Sequence, residues 1–279
     1  MENKKDAAFL ADIHLHSEYS HDSVCPVANI CQAALEQQLD LVCITDHCDL
    51  YSDENSEAVL QDRRNAYEGV RRVAKNYSGV EVLVGVELGA GFIFPALAQR
   101  IISEIPFDMV IGSVHGIMFR GQRVSTSKCD FSALDEAALM EYLNCHMDAT
   151  VYIAEKLDVD VLGHLTYIFR YINGKYKMNF DWRILEDKIK RIFRALIDRG
   201  IALEINTSCV GSSYNEWLPS KDLIDLYIAM GGRLFTLGSD DHKAQKLCNG
   251  FAEVKAYLKE QGIENLVYYK NRTPHYYSI

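Results

Sequence analysis

The chain has 279 residues, of which 48% are hydrophobic and 24% charged, a composition typical of a globular protein with a large core. Its formal net charge is −10 and it contains no basic run, so we do not expect a nucleic acid as its main partner. No apolar run is long enough to span a bilayer, residues 1–7 are polar and charged, and the eight cysteines form no Cys-x-x-Cys pair, so we predict a cytoplasmic protein with free thiols and no membrane partner.

Apolar runs and helical patterns alternate along the chain. Strands are predicted at residues 8–14, 39–45, 80–86, 107–113, 159–164, 201–206 and 233–237. Helices are predicted at residues 27–38, 57–76, 94–104, 132–156, 182–199, 221–230 and 251–261, an aromatic and basic loop at 166–180, and a short tail strand at 266–269. Strands that alternate with helices form parallel sheets, so we predict an α/β fold, a distorted (β/α)7 TIM-like barrel in which residues 1–279 make a single domain.

Histidine or a carboxylate stands at the end of nearly every predicted strand. His14 and His16 are two residues apart, so their side chains project from the same face of a strand. The other positions of this kind are Asp46, His47, Glu87, His115, His164, Asp240 and His242. Barrel enzymes carry their chemistry at the carboxyl ends of the strands, and imidazole and carboxylate groups suit Zn, Mn or Fe. We therefore predict a divalent metal cluster and metal-assisted hydrolysis.

Each of these residues also has an ordinary structural explanation. A His-x-His pair at the end of a strand can simply face solvent, and a lone histidine such as His115 is often a satisfied core residue. Glu87 at a barrel mouth can form an ion pair with Arg100 or Lys128. The recurrence of the pattern over successive strands is what favours the metal site.

The same residues resemble the motifs of the polymerase and histidinol phosphatase (PHP) superfamily. The matching motifs are Asp12-x-His14-x-His16, Thr45-Asp46-His47, Gly85-x-Glu87, His115, His164 and Gly238-Ser239-Asp240-x-His242. Residues 107–115, 200–208 and 218–220 are similar to the monofunctional histidinol-phosphate phosphatases of this superfamily. The resemblance covers nearly the whole chain.

The resemblance implies three metal ions in a distorted (β/α)7 barrel. One ion would be held by His14, His16, Glu87 and Asp240. A second, bridged by Glu87, would be held by His115 and His164. The third would be held by His47, His242 and a residue from the loop after His16. Several relatives have a histidine six residues after the second motif histidine; this chain has Asp22 there, which we take as the ligand, with His21 just before it.

The chain departs from these relatives at one position. Relatives that act on histidinol phosphate often have Ser-Gly-Leu-Arg after the Asn-Thr of strand six, whereas residues 208–211 here are Ser-Cys-Val-Gly. The missing arginine bears on the exact substrate but not on the metal site. Arg170 matches a basic position after strand five, and we predict that it binds the phosphate; the alternative is a solvated loop charge.

The sequence thus predicts a metal-dependent phosphatase acting on a small phosphate monoester, with L-histidinol phosphate, a substrate of histidine biosynthesis, as the first candidate. Asp240 is expected to accept the proton of the attacking water, and His21 is one candidate, beside Asp22 and water, for protonating the leaving group. Asp12 and Asp46 are expected to orient the histidines. Two alternatives stay open: a PHP phosphoesterase for another small phosphate or nucleotide, and a non-catalytic metal-binding domain. The oligomeric state is also open.

Overall fold

The computed structural model describes residues 9–50, 52 and 54–279, so the predicted first residue of strand one, Ala8, lies outside the described residues. The strands are β1 (Ala11–Leu15), β2 (Leu41–Ile44), β3 (His47–Asp49), β4 (Glu81–Gly89), β5 (Met109–Ser113), β6 (Gly116–Phe119), β7 (Gln122–Ser125), β8 (Val161–Leu162), β9 (Ala202–Asn206), β10 (Phe235–Gly238), β11 (Asn265–Lys270) and β12 (Thr273–Ser278). The α-helices are α1 (Val27–Glu36), α2 (Ser56–Ala74), α3 (Pro95–Glu104), α4 (Glu136–Lys156), α5 (Tyr167–Phe169), α6 (Glu186–Arg199), α7 (Lys221–Ala229) and α8 (Phe251–Glu260).

Seven parallel strands form a nearly closed barrel. Their order is β1-β2-β4-β5-β8-β9-β10. The first and last strands meet at a seam, where the Asp240 N–H donates to the His14 carbonyl over 2.8 Å and the His16 N–H donates to the Asp241 carbonyl over 3.0 Å. The predicted (β/α)7 barrel is confirmed.

Apolar residues explain why these segments form the barrel. The four residues of β2 are all buried, as a strand covered on both faces requires. Outside the strands, α6 turns Ile189, Ile192 and Phe193 inward. This helix ends at Gly200, whose φ of 68° lies in the left-handed region that favours glycine.

Several local predictions were wrong or incomplete. The strand predicted to stop at residue 86 continues to Gly89, so Glu87 lies inside β4 and pairs with His47 of the short strand β3. The predicted loop 166–180 begins with α5 and a π-helix, Arg170–Lys175, in which the Tyr176 N–H donates to the Tyr171 carbonyl over 2.9 Å. The hairpin β6–β7 and the outer tail strand β12 were not predicted.

The tail hairpin β11–β12 packs against the amino end of the barrel. The Arg272 Nε donates to Asp160, just before β8, over 2.5 Å, and the Asn271 N–H donates to Asp108, just before β5, over 3.1 Å. Tyr268 stacks on Phe9 with 5.8 Å between ring centroids. The opposite end of the barrel is therefore left for the functional residues.

Within the part of the chain that the structure describes, none of the helices combines the length and the apolar character needed to cross a bilayer.

Candidate metal centre

Glu87 lies at the centre of a cluster of imidazole rings at the carboxyl end of the barrel. Its side chain is fully buried. Oε1 lies 2.6 Å from His164 Nε2 and 2.9 Å from His115 Nε2, and Oε2 lies 2.7 Å from His47 Nδ1. No lysine or arginine contacts this carboxylate among the described residues, and Arg100 pairs instead with Glu57 and Glu104. An ion pair of Glu87 with Arg100 is thus excluded.

The seam between β1 and β10 brings a second group beside Glu87. His16 Nε2 lies 3.1 Å from Asp240 Oδ1, and His14 Nε2 lies 3.9 Å from the same oxygen. Both Nε2 atoms also face Glu87 Oε2, at 3.4 Å from His14 and 3.6 Å from His16. Residues that are more than 220 positions apart in the chain therefore converge on one point.

A third group lies nearer the solvent. Asp22 Oδ2 lies 3.5 Å from His47 Nε2, and Asp22 Oδ1 lies 3.3 Å from His242 Nε2. The ring of His16 stacks between those of His47 and His242, at centroid distances of 4.1 and 4.2 Å. All nine residues predicted as metal ligands thus gather in one cluster, and their role as ligands stays a prediction.

The donor atoms suit divalent ions. Four buried atoms in this cluster lie close to one another or to Asp240 but make no hydrogen bond of acceptable geometry in the described structure: His14 Nε2, His16 Nε2, His47 Nδ1 and Glu87 Oε2. A native protein rarely leaves such atoms unsatisfied unless an ion or water binds them. Sets of three donor atoms lie within 4.8 Å of one another, among them His14, His16 and Asp240. Imidazole with carboxylate is a ligand set for Zn, Mn or Fe, so the residues fit a metal cluster.

Hydrogen bonds donated by Nδ1 fix the direction of three of these rings. The Nδ1 of His14 donates to Glu204 over 2.5 Å, and that of His115 donates to Asp49 over 3.0 Å. The Nδ1 of His242 donates to the Asp240 carbonyl over 2.9 Å. Because a ring that donates from Nδ1 keeps its Nε2 lone pair free, these bonds prepare Nε2 for metal binding.

Of the two acids expected to orient histidines, only Asp46 does so. The His16 Nδ1 lies 3.0 Å from Ser20 Oγ, which in turn donates to Asp46 over 2.8 Å. Asp12 instead accepts backbone N–H groups of Ser239 and Cys248, so it holds the seam together.

Sequence reasoning missed Glu204 and Asp49. Glu204 is a carboxylate inside the otherwise uncharged, fully buried strand β9, an anomaly that marks a functional or paired residue. Asp49 stands two residues after His47, the same spacing that singled out His14 and His16.

Two glycines leave the space that these carboxylates need. A Cβ added to Gly238 would lie 2.3 Å from Glu204 Oε1, and one added to Gly89 would lie 1.7 Å from Asp49 Oδ1. Both distances are far inside van der Waals contact, so any side chain there would displace the carboxylate.

Burial and neighbouring charges strongly shift the pKa values of several groups in the cluster. Burial raises the pKa of Glu87, but the surrounding histidines, His115 first, hold it well below its usual range. Burial lowers the pKa of His47, yet the carboxylates of Glu87 and Asp22 outweigh burial and raise it to about 9. Burial, followed by the charge of His47, lowers the pKa of His16 to about 3. The metal-free cluster contains imidazolium and carboxylate groups side by side. Bound cations would take the place of the imidazolium protons.

A cavity of about 620 Å³ opens above the cluster. His21 lines it, with its ring centroid 5.1 Å from that of His47. Arg170 also lines it and is half-buried, and its guanidinium forms no ion pair with the described part of the chain. Tyr167 and Tyr171 line the cavity as well, with their hydroxyl oxygens 2.7 Å apart. The cavity therefore contains a cationic group beside the cluster.

The loop after β9 contributes little charge to this cavity. Only Thr207 and Ser208 of that loop line it, and at Gly211, where relatives often carry arginine, no atom lies within 4 Å of the position that a Cβ would take. Further cations come from elsewhere: Lys128 after β7, and Lys243 and Lys246 after β10.

Comparison with known proteins agrees with this geometry. The model of the PHP domain family matches residues 12–208, which is most of the chain. The chain belongs to the PHP domain family.

Curated PHP relatives are similar over nearly their whole length. Histidinol-phosphatase of Lactococcus lactis is 27% identical, with 91% of this chain and 92% of that protein covered. The probable histidinol-phosphatase of Thermotoga maritima is 26% identical, with 92% and 94% covered. A crystal structure of histidinol phosphate phosphatase from Lactococcus lactis, complexed with zinc, L-histidinol and phosphate, superimposes with a TM-score of 0.75 at 22% identity and covers 96% of this chain and 100% of that one. This likeness confirms the PHP barrel.

Proposed function

We propose that this PHP protein is a metal-dependent phosphatase that hydrolyses L-histidinol phosphate to L-histidinol, with the chain acting as one catalytic domain. The observation that carries the proposal is the buried Glu87, ringed by unsatisfied imidazole nitrogens beneath a cavity that Arg170 lines. The names of the curated relatives support the substrate. A cytoplasmic location is consistent with eight free cysteines.

The cluster would hold up to three divalent ions, with the ligands shared as the motifs imply. His14, His16 and Asp240 form one set around Glu87, and His115 with His164 forms another. His47, His242 and Asp22 form the set nearest the solvent. Bound divalent ions activate water as a nucleophile and neutralise the charge of the phosphate oxygens.

The remaining steps belong to side chains of the cavity. Arg170 would bind two phosphate oxygens through its planar guanidinium, which orients the ester above the cluster. Asp240, whose pKa the neighbouring histidines hold far below its usual range despite burial, would be ionised and able to accept a proton from water. His21 lies at the cavity wall, where it would donate a proton to the leaving oxygen.

One observation favours a second candidate substrate. The cavity has no cation at Gly211, but Lys128, Lys243 and Lys246 line it elsewhere. A small phosphate ester without a cationic group, such as a nucleoside monophosphate, would match these lysines better than histidinol phosphate, whose organic part carries an ammonium group.

Phosphate release by chelator-stripped protein, with and without added Zn²⁺ or Mn²⁺, tests both candidates. Histidinol phosphate and a nucleoside monophosphate would be compared at equal concentration. Rapid metal-dependent release from histidinol phosphate, abolished in His14→Ala, is the expected result. Faster release from the nucleotide would move the substrate to the second class, and no release from either ester by metal-loaded protein would refute a phosphatase.

A further inference from the structure

Among the histidines that the structure brings to the cluster, His164 differs from four of its neighbours in its second ring nitrogen. His14, His16, His115 and His242 each have a partner for Nδ1 within the chain. His164 directs Nε2 at Glu87 over 2.6 Å, but its Nδ1 has no hydrogen bond to the described residues. A histidine that binds metal almost always donates its other N–H to an acceptor, which fixes the ring and raises its basicity.

A small cavity adjoins His164 behind the cluster. Its volume is about 10 Å³, and its polar lining residues include Ser113, His146 and His164. This volume matches the smallest space that holds one water molecule. Thr150 of α4 also lines it, but the Thr150 hydroxyl already donates to the His146 carbonyl over 2.9 Å, and the remaining lining residues are apolar.

Polar atoms in this small cavity lack partners. His146, on α4, is 1% exposed, and neither of its ring nitrogens makes a hydrogen bond of good geometry in the described structure, although the Val114 backbone lies close enough to the ring to act on its pKa. Ser113 Oγ, at the end of β5, is also buried without a partner. Burial lowers the pKa of His146 to about 3, so its ring is neutral and offers one donor and one acceptor. His164 also lines this space, so polar residues on three sides adjoin one water-sized volume, and a stable buried water needs two to four polar partners.

We propose that a single buried water occupies this cavity and joins His146 and Ser113 to His164. His146 is then a positioning residue: through the water it holds the His164 ring with Nε2 toward Glu87. The inference rests on the proposed metal site, because it concerns how one of that site's ligands is oriented. It also explains why the chain keeps a histidine in an otherwise apolar helix face, where unsatisfied nitrogens are costly.

Zinc retention in matched variants tests the proposal. His146→Leu removes both ring nitrogens at similar size, Ser113→Ala removes one partner of the water, and His146→Gln keeps polar atoms. Met147→Leu is the control, since Met147 is a buried neighbour on α4 that does not line the small cavity. The readout is the rate at which zinc-loaded protein loses Zn²⁺ to a chelator, beside the melting temperature of the metal-free form.

We expect His146→Leu to lose zinc about tenfold faster, the lower range for loss of an outer partner of a metal ligand. The rate of zinc loss from Ser113→Ala should lie between those of His146→Leu and the wild type, and the rate from His146→Gln should be near that of the wild type. If His146 has only a structural role, His146→Leu will lower the melting temperature of the metal-free protein but leave the rate of zinc loss unchanged. That result would overturn the proposal.

Electron density gives a second, independent test. A crystal structure of the zinc-loaded wild type that resolves ordered waters should show one in this cavity, within hydrogen-bond distance of His146. Zinc in the cluster beside a dry cavity would overturn the inference but leave the proposed function intact. Failure of the wild type to bind zinc would instead overturn the proposed function.

Discussion

Glu204 offers the sharpest single test of how the cluster is built. Its two carboxylate oxygens serve three donors: Oε1 accepts from His14 Nδ1 over 2.5 Å, and Oε2 accepts from the His164 N–H over 2.7 Å and from Asn206 Nδ2 over 3.3 Å. The amide of Glu204→Gln has nearly the same shape but only one oxygen. If that oxygen stays with the His164 N–H, the amide NH₂ faces His14 Nδ1.

The ring of His14 must then accept at Nδ1 and carry its proton on Nε2, the atom that faces Glu87 and Asp240. A protonated Nε2 cannot bind a metal ion. Loss of an outer carboxylate partner costs about 10- to 100-fold in metal affinity, which is about 1.4–2.7 kcal/mol. Because the proton of the His14 ring would then lie on the atom that should bind the metal, we expect the upper end of this loss in zinc affinity, about 100-fold.

The assay is Zn²⁺ competition against a chromophoric chelator, with folding checked by circular dichroism. Glu264→Gln, an exposed glutamate remote from the cluster, is the matched control and should bind zinc as the wild type does. A folded Glu204→Gln protein whose zinc affinity stays within about twofold of the wild type would refute this account of His14.

Three further predictions concern phosphate binding by Arg170, the space that Gly89 leaves beside Asp49, and the pKa of His47. Arg170→Ala should lower kcat/KM for the phosphate ester about 100-fold, the value of a charged hydrogen-bond pair, with partial recovery in Arg170→Lys; steady-state kinetics equal to the wild type would exclude phosphate binding by Arg170. Gly89→Ala should weaken zinc binding about 10- to 100-fold, because its Cβ would lie 1.7 Å from Asp49 Oδ1 and would displace this partner of His115; a zinc titration that matches the wild type would contradict this. The pKa of His47, raised from 6.5 to about 9 in the metal-free fold, stabilises that fold below pH 6.5, and this stability is lost as the pH rises to 9. Zinc must displace the same proton, so its affinity should rise over this range. Thermal melts of stripped protein and zinc titrations at both pH values should show the two opposite trends; parallel trends would contradict them.

The sequence was sufficient for the barrel and for the residues at its mouth. Strand ends could be located because apolar runs such as residues 39–45 stop abruptly at polar residues, and parallel strands bring those ends together. The predicted residues His14, Glu87 and His242 lie in one cluster, and their role as ligands stays a prediction.

Other features depend on contacts that a local pattern does not contain. The link from His16 through Ser20 to Asp46 joins three segments, and any serine near a strand end would look the same in the sequence. The π-helix Arg170–Lys175 stands where residues 166–180 read as a loop, because its hydrogen bonds depend on how Tyr171 and Tyr176 pack in the folded chain. Glu204 was detectable in principle, as a charge inside a buried strand, but only the fold shows which ring it holds.

The seam between the first and last barrel strands has a consequence for biosynthesis. The predicted ligands His14 and Asp240 are translated more than 220 residues apart. A nascent chain that has not yet delivered β10 lacks Asp240 and His242, one member of each of two predicted donor sets, and unfolded histidines compete poorly for scarce metal. We therefore expect metal loading to come late in biosynthesis, coupled to closure of the barrel rather than to synthesis of the first motif.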